Sequence, residues 1–361
     1  MSLTKSEKNL LTLIGKNSSI SRSTLQQEVK YKRLSTLSTK INYLMKKRYI
    51  KGPYYYINLN AVGENRIHST FVEIRFSPEQ YDLVFKLITC INCWEWIFPT
   101  IQGDTFFAFF RSNSTMYLSR LLNIVKDAGL TEYKSYTSQA RFFVENPDFF
   151  GNPFPHVSHV FNEVTADMIY PEKAHNTTWK FIDLKVMQYL QVKTCSIAKI
   201  QKTEKKVYNR FWRRSKIKYS IKKIIDARIA ERKHYNISPY PRGECSPFLL
   251  VVEGDHDHVL PFIVNFGKGC RMYKTYTMCE DIGFVLCWAS PQVGPALMKE
   301  LDNLRPHIQT RCLQLKSAGH EDTLKQSFNE KHFDLENQRW IFPFRKYEEK
   351  IEKILKKEKI D

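Results

Sequence analysis

The segment from Arg33 to Lys47 carries apolar residues at helical spacing in a strongly basic setting. At 100° per residue, one side of the projected helix collects Leu34, Leu37, Ile41, Leu44 and Met45. The opposite side and its flanks carry hydroxyl, aromatic and basic residues: Ser35, Thr36, Thr39, Lys40, Tyr43, Lys46 and Lys47. The spacing predicts a helix that begins at a Ser35 cap, buries its apolar side and exposes its basic side.

Two shorter helices are predicted before this one. They cover Lys5–Ile14 and Ser21–Val29, and Ser21 is a suitable N-cap. After the third helix, the stretch YIKGPYYYIN predicts a small hairpin that turns at Gly52–Pro53. Three short helices followed by a hairpin form the layout of a winged helix-turn-helix, whose third helix enters the major groove of DNA.

The pattern changes after residue 68 to that of a mixed sheet domain. Ser69–Ser77 alternates like a strand, and a helical pattern begins at Pro78. Two strands then meet at a Gly103–Asp104 turn, and a helix follows between a Ser114 N-cap and a Gly129 C-cap. The stretch YKSYTSQARFF predicts a last strand, so the order is βαββαβ, the ferredoxin-like unit.

The same order recurs about half a chain later. Strands are predicted over Phe248–Val252, Cys270–Cys279, Gly283–Ala289 and His307–Leu315, with helices over Val259–Phe266 and Pro291–Arg305. Ahead of them, Ser215–Ile229 aligns with Ser35–Tyr49. Its predicted outer side and the preceding turn carry Arg213, Arg214, Lys216, Tyr219, Lys222 and Lys223. The pattern therefore predicts a tandem duplication of a helical block and a sheet block.

These elements predict an α+β chain in which two winged helix-turn-helix domains alternate with two ferredoxin-like domains. The expected segments are a first winged helix at 1–62, a first ferredoxin-like domain at 66–145, a connector at 146–178, a second winged helix at 179–242, a second ferredoxin-like domain at 246–317 and a C-terminal extension at 318–361. In the extension, Tyr347, Ile351, Ile354 and Leu355 form an apolar stripe. We expect that helix to pack on its own chain.

The positive charge is concentrated in the two helical blocks. Residues 1–60 hold twelve Lys and Arg against two acids, and residues 179–242 hold eighteen against four. Since the whole chain has a net charge of +19, the remainder is net negative. This segregation is typical of a protein that binds a polyanion, and we expect double-stranded DNA as the partner.

Other features of the composition narrow the function classes. The polar start MSLTKSEKN and the short apolar runs predict a cytoplasmic protein without a membrane span. Cys90 and Cys93 form a CxxC without a second matching pair, which favours core thiols over a zinc site. His256-Asp257-His258 is interpreted as a polar helix start. We expect no metal and no cofactor.

The third helix and its surroundings resemble the Lrp/AsnC family of feast/famine transcription regulators. The resemblance rests on Leu34, Ser35, Ile41, Leu44, Ile50 and Gly52, followed by the βαββαβ order. It implies a sequence-specific DNA-binding regulator whose units pair through their ferredoxin-like domains. With two units in one chain, we expect an intrachain pseudo-dimer, with further association of chains left open.

The resemblance also implies a small-molecule effector site at the glycine-acid turn between the middle strands. Gly103 and Asp104 fit that signature, but Phe106 lies where the family has a second acid. An ordinary hairpin turn explains the two residues equally well.

Two alternatives to a DNA-binding regulator stay open. Sirohaem decarboxylases have a similar layout, and His156, His159, His256 and His258 are conceivable tetrapyrrole-facing residues. RNA binding is the other alternative, in which Tyr54, Tyr55 and Tyr56 would stack on bases. Since no catalytic signature occurs and a decarboxylase has no evident need for the basic blocks, we expect the chain not to be an enzyme.

Overall fold

The computed structural model describes residues 3–138, 143–164, 177–192, 196–316 and 324–358. The chain forms two compact units, each built from separated segments. Unit one comprises Met1–Tyr54, Gln139–Tyr170 and Lys233–Gly319. Unit two comprises Tyr55–Ser138, Pro171–Arg232 and His320–Asp361. Each unit thus combines the helical block of one sequence half with the sheet domain of the other half.

The described helices and strands follow the predicted order. The first half contains α1 (Lys5–Lys16), α2 (Arg22–Val29), α3 (Leu34–Lys46), β1 (Ile50–Ile57), β2 (His68–Arg75), α4 (Tyr81–Cys90), β3 (Trp94–Pro99), β4 (Thr105–Ser112), α5 (Thr115–Asp127), β5 (Glu132–Thr137) and β6 (Phe143–Glu145). The second half contains α6 (Phe181–Val192), α7 (Ile197–Tyr208), α8 (Arg214–Asp226), β7 (Ala230–Ile237), β8 (Ser246–Gly254), α9 (His256–Asn265), β9 (Tyr273–Cys279), β10 (Ile282–Ala289), α10 (Val293–Asp302), β11 (Ile308–Gln314), β12 (Leu324–Lys325), β13 (Phe333–Asp334), β14 (Arg339–Trp340) and α11 (Phe344–Lys357). The predicted α+β class is confirmed.

Local capping chemistry sets the helix starts in the first helical block. Thr4 and Glu7 form a capping box at α1, and the Ser21 side chain accepts a hydrogen bond from the Thr24 N–H at α2. The predicted Ser35 cap of α3 was wrong. Arg33 occupies the N-cap position without a side-chain hydrogen bond, and Ser35 is already the second helical residue.

The predicted hairpin at Gly52–Pro53 was also wrong. β1 runs through both residues as one strand, and its sheet partner is β7. Gly52 has a φ of 117°, and a Cβ there would lie 3.1 Å from the His234 carbonyl oxygen. The glycine therefore serves a close approach between backbones rather than a turn.

Both ferredoxin-like sheets have the same antiparallel strand order. In unit two the order is β3-β4-β2-β5, and in unit one the corresponding order is β9-β10-β8-β11. Each sheet gains a fifth strand next to its second strand: β12 pairs with β3, and β6 pairs with β9. These additions cover an edge that would otherwise expose unpaired backbone groups.

The prediction of one continuous strand over YKSYTSQARFF was wrong. β5 ends at Thr137 in the sheet of unit two. Phe143 already belongs to β6, which pairs with β9 in the sheet of unit one. Residues 139–142 lie outside the described residues.

The prediction that the C-terminal helix packs on its own chain is confirmed. Tyr347, Ile351 and Leu355 of α11 are buried in the apolar core formed by α4, α5 and the adjoining sheet of unit two. Part of the predicted extension, residues 317–323 and 359–361, lies outside the described residues, as do residues 165–176 of the connector. Among the described helices, none is long and apolar enough to cross a membrane.

Candidate nucleic-acid interface

α3 is held in unit one by its apolar side. Leu37 and Leu44 are fully buried against Leu10 of α1 and Leu25 of α2. Ile41 and Met45 are half-buried at the margin of this core. Leu34 was expected inside, but it is the first residue of α3 and is 48% exposed. The remaining apolar contacts fix which side of α3 faces outward.

The exposed side of α3 carries most of the residues predicted to contact DNA. Ser35, Thr36, Thr39, Lys46 and Lys47 are all exposed. The hydroxyl groups lie in the first two turns of the helix and the two lysines at its end. This order suits base edges at the helix start and phosphates at the helix end.

Lys40 and Tyr43 are more engaged with their own domain than the sequence suggested. The Lys40 ammonium lies 2.9 Å from a carboxylate oxygen of Glu7 and 5.4 Å from the centre of the Tyr43 ring. Burial raises the pKa of Glu7, but hydrogen bonds from Thr4 and Lys40 outweigh it and hold that pKa below its ordinary value. Much of the charge of Lys40 is therefore offset within unit one.

α8 presents the corresponding surface in unit two. Ile217 and Ile224 are fully buried, as their alignment with Leu37 and Leu44 predicts. On the outside, the exposed residues are Arg213, Arg214, Lys216, Tyr219 and Lys222. Tyr219 is 69% exposed, so its ring is available to a partner.

The expected outward position of Lys223 was wrong. Its ammonium lies 2.9 Å from Asp183, donates to the Thr178 carbonyl oxygen at 2.6 Å and lies over the Trp179 ring. Asp183 also accepts a hydrogen bond from the Ser220 hydroxyl at 2.6 Å. A buried carboxylate on the first helix draws the lysine inward, because an unpaired buried charge is costly.

Each of the two helical blocks has a buried acid on its first helix. Glu7 of α1 and Asp183 of α6 are both buried and both contact the third helix of their block. The acid thus ties the third helix to the first and fixes the direction in which its outer side points. The two outer sides differ, since one is rich in hydroxyls and the other in arginine, lysine and tyrosine.

The glycine-acid turn is internally satisfied. The Asp104 carboxylate accepts hydrogen bonds from the Thr100 and Thr105 hydroxyls, both at 3.1 Å. Gly103 has a φ of 77°, which the turn requires, and Phe106 is fully buried in the core. This geometry is that of a hairpin turn, and an effector role for Gly103 and Asp104 stays a prediction.

The histidines named for the tetrapyrrole alternative have neighbours within unit one. His258 stacks on His307 with ring centres 5.1 Å apart, and both pack against Phe161. His156 lies 2.6 Å from the Asn152 amide nitrogen. His256 lies in the first turn of α9, as interpreted from the sequence. Within the described ranges, no group of three or more potential ligands is placed to hold a metal ion.

The tyrosines named for the RNA alternative lie on β1. Tyr54 packs against the His234 ring at 5.6 Å, and the Arg111 guanidinium lies 5.7 Å from the centre of the Tyr56 ring. All three tyrosines are half-buried. Their rings therefore take part in packing, which leaves less of each ring for stacking on bases.

Comparison with known proteins gives similarity at the level of solved structures. No family model matches the chain, and no curated protein matches it. The crystal structure of the siroheme decarboxylase NirDL aligns with 98% of this chain and 100% of its own, at 10% identity and a TM-score of 0.49. LrpC of B. subtilis aligns with 39% of this chain and 97% of its own, at 14% identity and a TM-score of 0.32. A Pyrococcus furiosus regulator of the AsnC family aligns with 38% of this chain and 89% of its own, at 17% identity and a TM-score of 0.30.

These matches correct one expectation from the sequence. We expected the chain not to be an enzyme, but the structures that align with 98% of it, including NirDL with an iron-uroporphyrin III analogue, are those of an enzyme. That expectation rested on the absence of a short catalytic signature and on the basic blocks. Such signatures report only a few kinds of active site, so their absence did not exclude catalysis.

Sequence reasoning gave little weight to one exposed residue beside α8. Phe211, in the turn before the helix, is 70% exposed. From the turn before α8, only Arg213 and Arg214 were named on the basis of the sequence, for their charge, and the aromatic residue Phe211 two positions earlier was not singled out. An exposed phenylalanine of this kind contributes little to the core, so it is available for contact with a partner.

Proposed function

We propose that the chain is a sequence-specific DNA-binding regulator of Lrp/AsnC type that contacts duplex DNA with α3 and α8. The observation that carries the proposal is the repeated arrangement of these helices. Each is held by a buried apolar side and by an acid on the first helix of its block, and each exposes basic and hydroxyl-bearing residues. The strong net charge of both blocks supports a polyanionic partner.

In this proposal the two helices contribute differently. Ser35, Thr36 and Thr39 of α3 hydrogen-bond to base edges, while Lys46 and Lys47 contact phosphates. In the second block, Arg213, Arg214, Lys216 and Lys222 supply mostly charge, and Tyr219 adds an aromatic contact. The site on DNA would therefore have two unlike halves.

The test compares Thr39→Ala with the unchanged chain on duplexes selected from a random pool and on unselected duplexes. We expect the variant to bind selected duplexes about 1–3 kcal/mol more weakly, because one base contact is lost, and unselected duplexes almost equally. Ser135→Ala is the matched control, since Ser135 is an exposed hydroxyl on β5. Equal weakening on both kinds of duplex would mean that Thr39 positions the protein on DNA without reading a base. If the chain enriched no sequence from the random pool, the proposed function would be contradicted.

Tetrapyrrole binding is measured separately, because two solved structures that align with 98% of this chain are those of an enzyme. Iron-uroporphyrin III is titrated into the purified chain while the Soret absorbance is followed. A saturable spectral change would show that the chain also binds a tetrapyrrole. Repeating the titration with added duplex would then show whether the two ligands exclude each other.

A further inference from the structure

The turn between α7 and α8 holds one phenylalanine outward between two anchored neighbours. Arg210 donates to the fully buried Glu204 at 3.1 Å, and the carbonyl oxygen of Trp212 accepts from the Gln201 amide at 2.9 Å. Phe211 lies between them and is 70% exposed. Because hydrogen bonds fix its neighbours, Phe211 loses little further conformational entropy when a partner binds.

The corresponding turn of the first block lacks such a side chain. Two residues separate the C-cap Lys30 from the N-cap Arg33, whereas three separate Asn209 from Arg213. In the shorter turn, the aromatic residue Tyr31 packs against the core of unit one. The longer turn of the second block therefore coincides with an aromatic side chain placed outside the core.

The surroundings of Phe211 indicate which partner would cover it. The Lys205 ammonium lies 5.4 Å from the ring centre, and Arg213, Arg214 and Lys216 are exposed just beyond it. A wholly apolar partner would have to bury these charges unpaired, which is costly. A duplex instead pairs them with phosphates, and the apolar group that its major groove offers is the 5-methyl of thymine.

We propose that Phe211 contacts the 5-methyl group of a thymine in the half-site bound by α8. The proposal rests on the proposed DNA binding and adds a specific base to it. It also makes the second block a reader of DNA rather than RNA at that position, since uracil lacks the methyl group.

The test uses the full chain and a duplex of about 30 bp, selected by that chain from a random pool, which is roughly three helical turns. Each thymine of the α8 half-site is replaced in turn by deoxyuridine. At one position we expect about a four-fold loss of affinity, corresponding to about 0.8 kcal/mol for one buried methyl group. Phe211→Ala should bind the thymine and deoxyuridine duplexes equally.

Phe150→Ala is the control, because Phe150 is also 60% exposed and has the Lys8 ammonium 5.6 Å from its ring centre. It should keep the four-fold preference, and unchanged melting temperatures should show that both variants fold. Equal affinity of the unchanged chain for every thymine and deoxyuridine duplex would overturn the Phe211 contact alone. A chain that binds no duplex would overturn the proposed function and this contact together.

Discussion

At the scale of single residues, the structure separates lysines that stabilise the fold from lysines free to meet DNA. Lys40 is paired with the buried Glu7, whereas Lys46 and Lys47 are exposed at the end of α3. We predict that Lys40→Met lowers the free energy of unfolding by about 1 kcal/mol, because it leaves the Glu7 carboxylate with fewer partners. Denaturant unfolding measures this, and Lys46→Met is the control that should leave stability unchanged.

Combining the Lys40 change with Glu7→Gln shows whether the loss comes from the pair. The double variant should lose less than the sum of the two single variants. If the two changes in unfolding free energy simply added, Lys40 would act independently of Glu7. Its charge would then be available in full for contact with DNA.

His332 gives a second prediction at this scale, on pH dependence. Its Nε2 lies 2.6 Å from the Tyr347 hydroxyl, and burial is the main cause that lowers the pKa of His332 to about 4. The unfolded chain has an ordinary histidine pKa of about 6.5, so it binds the proton more readily than the folded chain. Stability from the neutral ring is therefore present above pH 6.5 and lost as the pH falls towards 4.

We expect this group to account for about 1–3 kcal/mol of the unfolding free energy lost over that range. Urea unfolding at several pH values measures it, in the unchanged chain and in His332→Gln. A variant with the same pH dependence as the unchanged chain would contradict the assignment to His332.

Sequence patterns predicted buried residues better than they predicted charged ones. Leu37, Leu44 and Ile217 were expected in the core and are fully buried, since apolar spacing alone decides their side of the helix. Lys223 lies inward because of Asp183, a residue of a different helix. Long basic side chains at the margin of a helix face follow such partners, and a local pattern does not contain them.

At the scale of elements, most helices and strands were predicted, but the pairing of three strands was not. Eight strands and four helices follow the two βαββαβ orders because each has its own periodic signal. β1 was expected to fold back on itself, yet it pairs with β7, which lies far along the chain. β6 and β12 are only three and two residues long, too short for a period to be detected.

The C-terminal helix α11 gives a prediction at this scale. Ile351 is fully buried against α4 and α5 of unit two. Ile351→Ala should lower the free energy of unfolding by about 2–5 kcal/mol, because it removes buried methyl and methylene groups and leaves a cavity. The exposed neighbour Glu352 supplies the control Glu352→Ala, which should have little effect.

Chemical denaturation and light scattering together test the role of α11. The Ile351 variant should be less stable but should keep the mass of the unchanged chain in solution. A smaller assembly with unchanged stability would mean that α11 binds a second chain instead.

At the scale of the whole molecule, the tandem duplication predicted from the sequence leads us to expect a composite DNA site. One outer helix side is built on Thr39 and the other on Arg213, Lys216 and Tyr219, so the two half-sites should differ in sequence. If the two ferredoxin-like domains pair within the chain, as the sequence predicts, the half-sites lie about one helical turn or a multiple apart. Sequencing of duplexes selected from a random pool measures both features, and a symmetric palindrome would favour pairing between chains instead.

The predicted domain boundaries stay a prediction, because the compact units join segments from both halves of the sequence. A sequence pattern that predicts two repeats does not reveal which helical block packs with which sheet domain. Apolar periodicity identifies the buried side of an element but not its partner.

The most direct measurement of the central claim is the salt dependence of duplex binding by the intact chain. It compares the unchanged chain with the variant Lys46→Gln, Lys47→Gln, Lys216→Gln, Lys222→Gln, whose four altered lysines are all exposed on α3, its C-terminal end or α8. Each lost phosphate contact should lower the slope of log affinity against log salt by about 0.9. The account predicts a slope flatter by about 3 to 4 with unchanged thermal stability. An unchanged slope, or no measurable duplex binding at low salt, would contradict it.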